Sequence, residues 1–327
     1  LSKRTMMDQF MEIKHENPGT ILFFRMGDFY ELFHEDAEVA APVLGLALTS
    51  RDKNAENPIP MAGFPWHALE DNLKILLKSG FKVTVAEQEQ ELREGAKLLE
   101  RVVTRIYTPG SLYEESLLST NDRSVLCSIV LAKSSLSMAI IDSSTGESWA
   151  STWDDNERFS SLEDELLRWN PAEIVISPRD AENDYLCAIF ANLNDCVISQ
   201  HTANKKRRIE RLENMLNVSD LGHLDLDSSP LSIDAAGFAA DYLAEVHFKD
   251  DIPIRDLQIV EDTGHLVVDQ TTLRNLEITS TLSGEYEGSL ISSMNYCRTA
   301  MGRRQLKTWL LRPLYQIEAI ELRHNAV

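Results

Sequence analysis

Hydrophobic positions along the chain alternate between helical and extended spacing, and the changes mark its elements. Met6, Phe10, Met11 and Ile13 recur at helical spacing behind a capping Thr5, which predicts a helix over residues 5–16 closed by Asn17-Pro18-Gly19. Ile21-Leu22-Phe23-Phe24 reads as a buried strand, Gly27-Asp28 as a turn, and residues 29–33 as a second short strand. An alanine-rich helix over 36–44 follows. Residues 58–63 read as an edge or loop segment, because their prolines cannot donate to a ladder. Trp66, Leu69, Leu73, Leu76 and Leu77 repeat at helical spacing, and Gly80 sits where a helix stops. Strands at 81–87 and 101–107 complete an α/β unit that ends at Thr108-Pro109-Gly110.

Three strand-like runs come next, at 125–132, 136–142 and 146–153, separated by short polar turns. A helix carrying Leu162, Leu166, Leu167 and Trp169, a strand at 174–177, a helix near 181–193, a strand at 196–199 and helices to about Phe248 follow. Three consecutive strands and then alternating helix and strand is the order of a ribonuclease H-like sheet. From Leu273 onward the pattern is helical, with Ala300, Leu306, Trp309, Leu310 and Leu311 as a buried stripe.

Composition adds constraints. At 327 residues the chain is too long for one ordinary core, and 43% hydrophobic with 26% charged residues excludes a largely disordered chain. No run of eighteen apolar residues occurs, so no membrane span is expected. The first residues lack the apolar stretch of a signal peptide, and the chain neither begins with Met nor leaves its last helical run before it stops, which suggests part of a longer protein. Its four cysteines lie far apart without metal spacing, as in reduced cytosolic proteins. A formal charge of −20 argues against nucleic acid until its distribution is considered. Residues 1–108 hold 13 basic and 17 acidic side chains, a net of −4; the remainder holds 19 and 35, a net of −16. A local DNA-binding surface in the first part therefore remains compatible with the charge.

The segment Phe24-Arg25-Met26-Gly27-Asp28-Phe29-Tyr30-Glu31-Leu32-Phe33 resembles the mismatch-reading motif of the MutS family of DNA mismatch repair proteins. The resemblance continues through residues 60–67, Glu87-Gln88 and 105–110, and reappears at 274–279 and 299–310. It implies an α/β multidomain chain: a mixed α/β mismatch-recognition domain at 1–110, a linker at 111–122, a ribonuclease H-like α/β connector at 123–250, and an all-α start of the core and lever domain at 251–327. It implies a cytoplasmic, nucleoid-associated protein, with three partners: double-stranded DNA carrying mismatches or small insertion/deletion loops, a MutL-type protein at the connector, and a second copy in the full-length form. ATP and Mg belong to the full-length family. This chain contains no G-x-x-x-x-G-K-[S/T] phosphate loop, so neither a cofactor, a metal nor ATP hydrolysis is expected of it.

Residues two apart on a strand project to one side, which pairs Phe29 with Glu31 and sends Tyr30 the other way. An aromatic wedge unstacks a base step at a cost of a few kcal/mol, and that cost is lowest where the base is already mispaired. Glu31 can accept from a base N–H, or take up a proton and donate to a purine N7. By resemblance, Arg25, Met26 and Asp28 line the minor groove beside the wedge. Met61 and Gly63, followed by Pro65 and His67, form a supporting loop, and Lys53 with Arg51 are candidate backbone contacts. The basic cluster at 205–211 reads as a solvated helix face, and that at 298–312 as a solvated or interdomain one.

Two rival readings stay open. A ribonuclease H-like nuclease needs carboxylates converging on Mg²⁺ with one on the first strand, and residues 125–132 carry none. The other is a MutS paralogue that binds junctions or partners and does not read mismatches; such paralogues tend to lose the Phe-x-Glu pair, which this chain retains.

Overall fold

In the computed structural model, residues 5–51, 57–89, 99–114, 116–117, 124–154, 158–193, 196–219, 221, 229–248, 254–260, 266, 268 and 270–326 are described. Helix α1 (Met6–Glu16) starts on a capping box, in which the Thr5 side chain accepts from the Asp8 amide and the Asp8 carboxylate accepts from the Thr5 amide. Then come β1 (Thr20–Met26), β2 (Phe29–Phe33), α2 (His34–Leu44), the two-residue β3 (Thr49–Ser50), β4 (Pro60–Pro65), α3 (Leu69–Lys78), β5 (Lys82–Gln88) and β6 (Arg101–Tyr107). They form one six-stranded sheet in the order β3-β4-β2-β1-β5-β6. Strand β1 is antiparallel to β2 and parallel to β5, so it runs as a near-continuous apolar segment in the middle of the sheet.

Both faces of this sheet are covered. Phe23, Tyr30, Leu32 and Phe64 pack under α2 and α3, while Leu22, Phe24 and Phe33 close on Phe10 of α1 from the other side. Phe10 meets Phe24 and Phe33 edge-on, with centroids at 5.7 and 5.2 Å, a geometry aromatic pairs favour.

The second unit contains β7 (Val125–Leu131), β8 (Ser135–Asp142), β9 (Glu147–Asp154), α4 (Arg158–Trp169), β10 (Glu173–Ile176), α5 (Asp184–Ala191), β11 (Val197–Gln200), α6 (Lys205–Leu216), α7 (Pro230–His247) and β12 (Asp256–Ile259). Its sheet order is β11-β10-β7-β8-β9-β12. Helix α7 lies along one face, its Ala235, Phe238, Ala239 and Leu243 buried against the sheet; α4 and α5 cover the other face. The described remainder holds α8 (Gln270–Asn275), α9 (Leu290–Met294), α10 (Ala300–Leu311) and α11 (Ile317–Ala326).

Four expectations need correction. Residues 60–65 are a laddered strand between β3 and β2, not an edge or loop. Pro60 is tolerated there because its outer neighbour β3 is only two residues long. Trp66 does not join the buried face of α3; it stands on a preceding 3-10 turn, exposed. Residues 256–259, expected within the helical region, form β12 beside β9, and four residues are too few for a periodic signal. Leu306, Trp309, Leu310 and Leu311 are half-buried, not a fully buried stripe.

Candidate nucleic-acid interface

The β1–β2 hairpin turns through only two residues, Gly27 and Asp28, with Met26 opposite Phe29. Gly27 has φ +58°, the left-handed conformation that a tight hairpin needs at its first turn position and that glycine adopts without strain. The turn is held from two sides. Gln88 Oε1 accepts from the Gly27 amide at 3.3 Å, and the Asp28 carbonyl accepts from the Trp66 amide at 2.9 Å.

Alternation does the rest. Tyr30 is 1% exposed and packs inward on Phe23 and Phe64, while Phe29 stands 48% exposed at the hairpin tip. A large aromatic held out by a braced turn leaves its face free for a stacking partner. Glu31 lies on the same side, half-buried, paired across the sheet with Phe24 and Gly63. A Cβ at Gly63 would come within 3.1 Å of the Tyr30 carbonyl on the neighbouring strand and into ordinary contact with Glu31 Cγ at 3.6 Å, so glycine permits the close approach of β4 to β2. Gly63→Val should therefore press β4 away from β2 and crowd Glu31, lowering thermal stability and weakening any base contact of Glu31 several-fold. Parallel melting curves and DNA titrations of both proteins check this.

The electrostatics of Glu31 are mixed. Burial raises its pKa from the ordinary glutamate value, opposed by the positive charges of Arg51 and Arg101. Arg101 is buried beneath the hairpin, where it donates to the Arg25 carbonyl and Gln88 Oε1, each at 3.3 Å, and reaches Met26 Sδ at the same distance. Its guanidinium lies 5.3 Å from the Phe24 ring centroid. Arg25 reaches the Gly27 carbonyl, and its guanidinium stacks over Tyr30 at 5.2 Å and Trp66 at 5.4 Å. Tyr30 donates to Glu87, and burial beside that carboxylate holds the phenol pKa well above its ordinary value.

The structure thus brings Arg25, Met26, Asp28 and Phe29 to the hairpin end of the first sheet, Arg25 on the Tyr30 face, with Glu31 two residues further along beside Gly63. Met61 does not join them: it pairs with Phe33 at the other end of β2, on a strand where a supporting loop was expected, and Lys53 lies outside the described residues. His67 is exposed beside Trp66. The sequence reading missed Arg101 as a brace. Its signal was faint: an arginine opening a strand that carries a second one at Arg105.

The basic cluster on α6 of the second unit does not join this surface. Arg207 pairs with Asp241 at 2.6 Å and Glu245 at 3.0 Å, Arg208 with Asp234 at 3.0 Å, and Lys206 with Glu210 at 3.5 Å. The solvated-face expectation therefore fails for Arg207 and Arg208, which tie α6 to α7. Among the described residues, His201, Asp241 and Glu245 have metal-ligand spacing, but the Arg207 guanidinium already donates to both carboxylates. In the other cluster, Arg312 bonds Glu165 at 2.6 Å and stacks on Trp169, an interdomain tie.

Three family models match in succession: MutS domain I over residues 4–116, MutS domain II over 124–252 and MutS domain III over 271–327. The chain belongs to the MutS family. It is 37% identical to the DNA mismatch repair protein MutS of Syntrophomonas wolfei subsp. wolfei over 98% of this chain, and 33% identical to that of Caldanaerobacter subterraneus subsp. tengcongensis over 100% of this chain. A MutS protein of Symbiobacterium thermophilum is 35% identical over 98% of the chain. The chain spans about 38% of the length of these MutS relatives. The hairpin and its braces all lie within the MutS domain I match. Among the described residues of this MutS-family chain, no helix is long and apolar enough to cross a membrane.

Proposed function

We propose that this chain binds duplex DNA for mismatch repair and reads mispaired or unpaired bases through the minor groove. The observation that carries the reading is the exposed Phe29 at the tip of a hairpin braced by Gln88 and Arg101, with Glu31 on the same side. Phe29 wedges at the weakened base step, Glu31 hydrogen-bonds the base, and the duplex kinks. Matched steps resist because unstacking them costs a few kcal/mol more. Equilibrium competition at low salt, where phosphate contacts are strongest, tests it: a G·T duplex should outcompete a matched duplex of the same length. Equal competition by the two duplexes contradicts it.

Other family expectations attach to other parts. The second unit is read as a ribonuclease H-like connector, supported by β8 lying antiparallel to β7 and β9 while β10 and β11 run parallel to β7. Its acidic surface would receive a MutL-type protein, and charge reversal there that leaves such binding unchanged would refute the assignment. Self-association, and the ATP and Mg of the whole family, are not assigned to residues of this chain. Gly80-Phe81-Lys82 is no phosphate loop: Gly80 follows the end of α3 with φ +80°, and Lys82 pairs with Glu173.

The nuclease alternative is poorly supported. Strand β7 has no acid, Asp142 is buried and accepts from the Ser144 amide and hydroxyl, and Glu165 is engaged by Arg168, Trp169 and Arg312. Two-metal hydrolysis needs carboxylates free to converge. Incubation with RNA–DNA hybrid and Mg²⁺ or Mn²⁺ should yield no cleavage above buffer; metal-dependent cutting that survives repurification would restore the nuclease reading.

A further inference from the structure

Glu173 is fully buried where the two sheets meet, and it is held from both sides. From its own unit, the Ser199 and Tyr242 hydroxyls donate to Oε1, the latter at 2.6 Å. From the first unit, Lys82 Nζ lies 3.3 Å from Oε1, and the Gly110 amide donates to Oε2 at 3.2 Å. Lys82 also donates to the Tyr242 hydroxyl at 3.3 Å. There is no spare room: a Cβ at Gly110 would lie 2.8 Å from Glu173 Cβ and 3.0 Å from Leu126 Cδ1. The Thr108-Pro109-Gly110 motif, which base reading does not use, is therefore part of a close-packed seam. Thr108 is buried within it, the Pro109 carbonyl accepts from Ser124 Oγ at 2.9 Å, and the Gly110 carbonyl accepts from Ser143 Oγ at 3.3 Å. A buried carboxylate is tolerated only when its partners are all in place, so the seam favours one docking geometry.

The two strands that end at Glu173 are the same two whose far ends brace the hairpin. Strand β5 runs from Lys82 to Gln88, and Gln88 receives the Gly27 amide. Strand β6 runs back from Arg101, under the hairpin, to Tyr107 and the seam. At about 3.3 Å per residue, β5 carries this connection over about 20 Å. We propose that Glu173 is a positioning residue that fixes the orientation of the Phe29 hairpin relative to the second unit, by clamping the seam ends of β5 and β6. This proposal rests on the mismatch reading above.

Two measurements separate the proposal from that reading. Spin labels at Cys187, exposed on α5, and at Glu38→Cys, exposed on α2, report the distance between the units in the full chain carrying Cys297→Ser. Cys127 is buried, and burial pushes the Cys196 thiol up to about 12, so neither should label. The parent should give one narrow distance, and Glu173→Ala should broaden or shift it. Lys82→Met changes a partly exposed side chain and Gly110→Ala adds one methyl, so these two should do the same even if Glu173→Ala folds poorly. In DNA competition, all three should lower the mismatch-to-matched affinity ratio about fivefold or more, the scale of a typical coupling between sites. Unchanged distances in Lys82→Met and Gly110→Ala would overturn the proposal whatever the DNA result. Equal loss of affinity for both duplexes, with the ratio kept, would also overturn it by showing a merely structural role. A parent chain without mismatch preference would refute the mismatch reading and, with it, the positioning role; distances that still respond would leave Glu173 a structural clamp.

Discussion

Phe29→Ala is expected to erase the preference for a G·T or unpaired-base duplex over a matched one while leaving binding to matched DNA largely intact. The wedge acts only after backbone contact is made, so removing it takes away discrimination and not encounter. Stacking of a base on an aromatic side chain is worth about 1–3 kcal/mol by alanine substitution, so mismatch affinity should fall about tenfold or more. The fold should hardly notice, because Phe29 is half-exposed. Truncating the fully buried Phe23, by contrast, would cost about 3–5 kcal/mol of stability. Competition titrations with a melting curve for each protein check both halves of the statement, and equal discrimination by mutant and parent would remove Phe29 from the mechanism.

Glu31 separates charge from hydrogen bonding. Glu31→Gln keeps a hydrogen-bonding group and loses the repulsion between carboxylate and phosphate, so binding to matched DNA should tighten more than binding to mismatched DNA. Glu31→Ala loses the base contact too, and its mismatch affinity should lie below that of the Gln variant by about twofold to tenfold, given about 0.5–1.5 kcal/mol for a hydrogen bond between neutral groups. Both must be compared at one salt concentration. If Gln leaves discrimination unchanged while Ala abolishes it, the charge is irrelevant.

The pH dependence has a definite sign. Burial already raises the pKa of Glu31, and nearby phosphates would raise it further. If the protonated acid donates to the base, binding takes up a proton. Mismatch affinity should then rise as pH falls through the pKa of the complex, and Glu31→Gln should flatten that slope. For folding, the raised pKa means that the contribution of Glu31 is fully present below its unfolded value, about 4.3, and is lost as pH rises through the folded value.

What could be read from the sequence was local. The alternation of Phe29, Tyr30 and Glu31 is a property of an extended backbone, and the structure buries Tyr30 while leaving Phe29 exposed and Glu31 half-buried. The α3 and α4 stripes and the Gly27 turn were equally plain. Features that depend on a distant segment were not. Arg101 becomes a brace only because β6 lies beside β5, and Trp66 faces outward because a 3-10 turn rotates it off the α3 stripe. Residues 60–65 ladder despite their prolines because β2 offers them a partner. The charges at 205–208 look like a solvated face until α7 supplies Asp234, Asp241 and Glu245. Glu173 carries no sequence signal, since an acid opening the apolar run Ile174-Val175-Ile176 reads as a strand end at solvent.

Unstacking at the mispaired step is the event on which the account depends, and it is directly observable. A duplex carrying 2-aminopurine next to a G·T pair reports it, because the base brightens when it leaves the stack. Saturating that duplex with the parent protein should raise the fluorescence, saturating it with Phe29→Ala should not, and a matched control duplex should respond to neither. The same brightening with Phe29→Ala as with the parent would contradict the wedge.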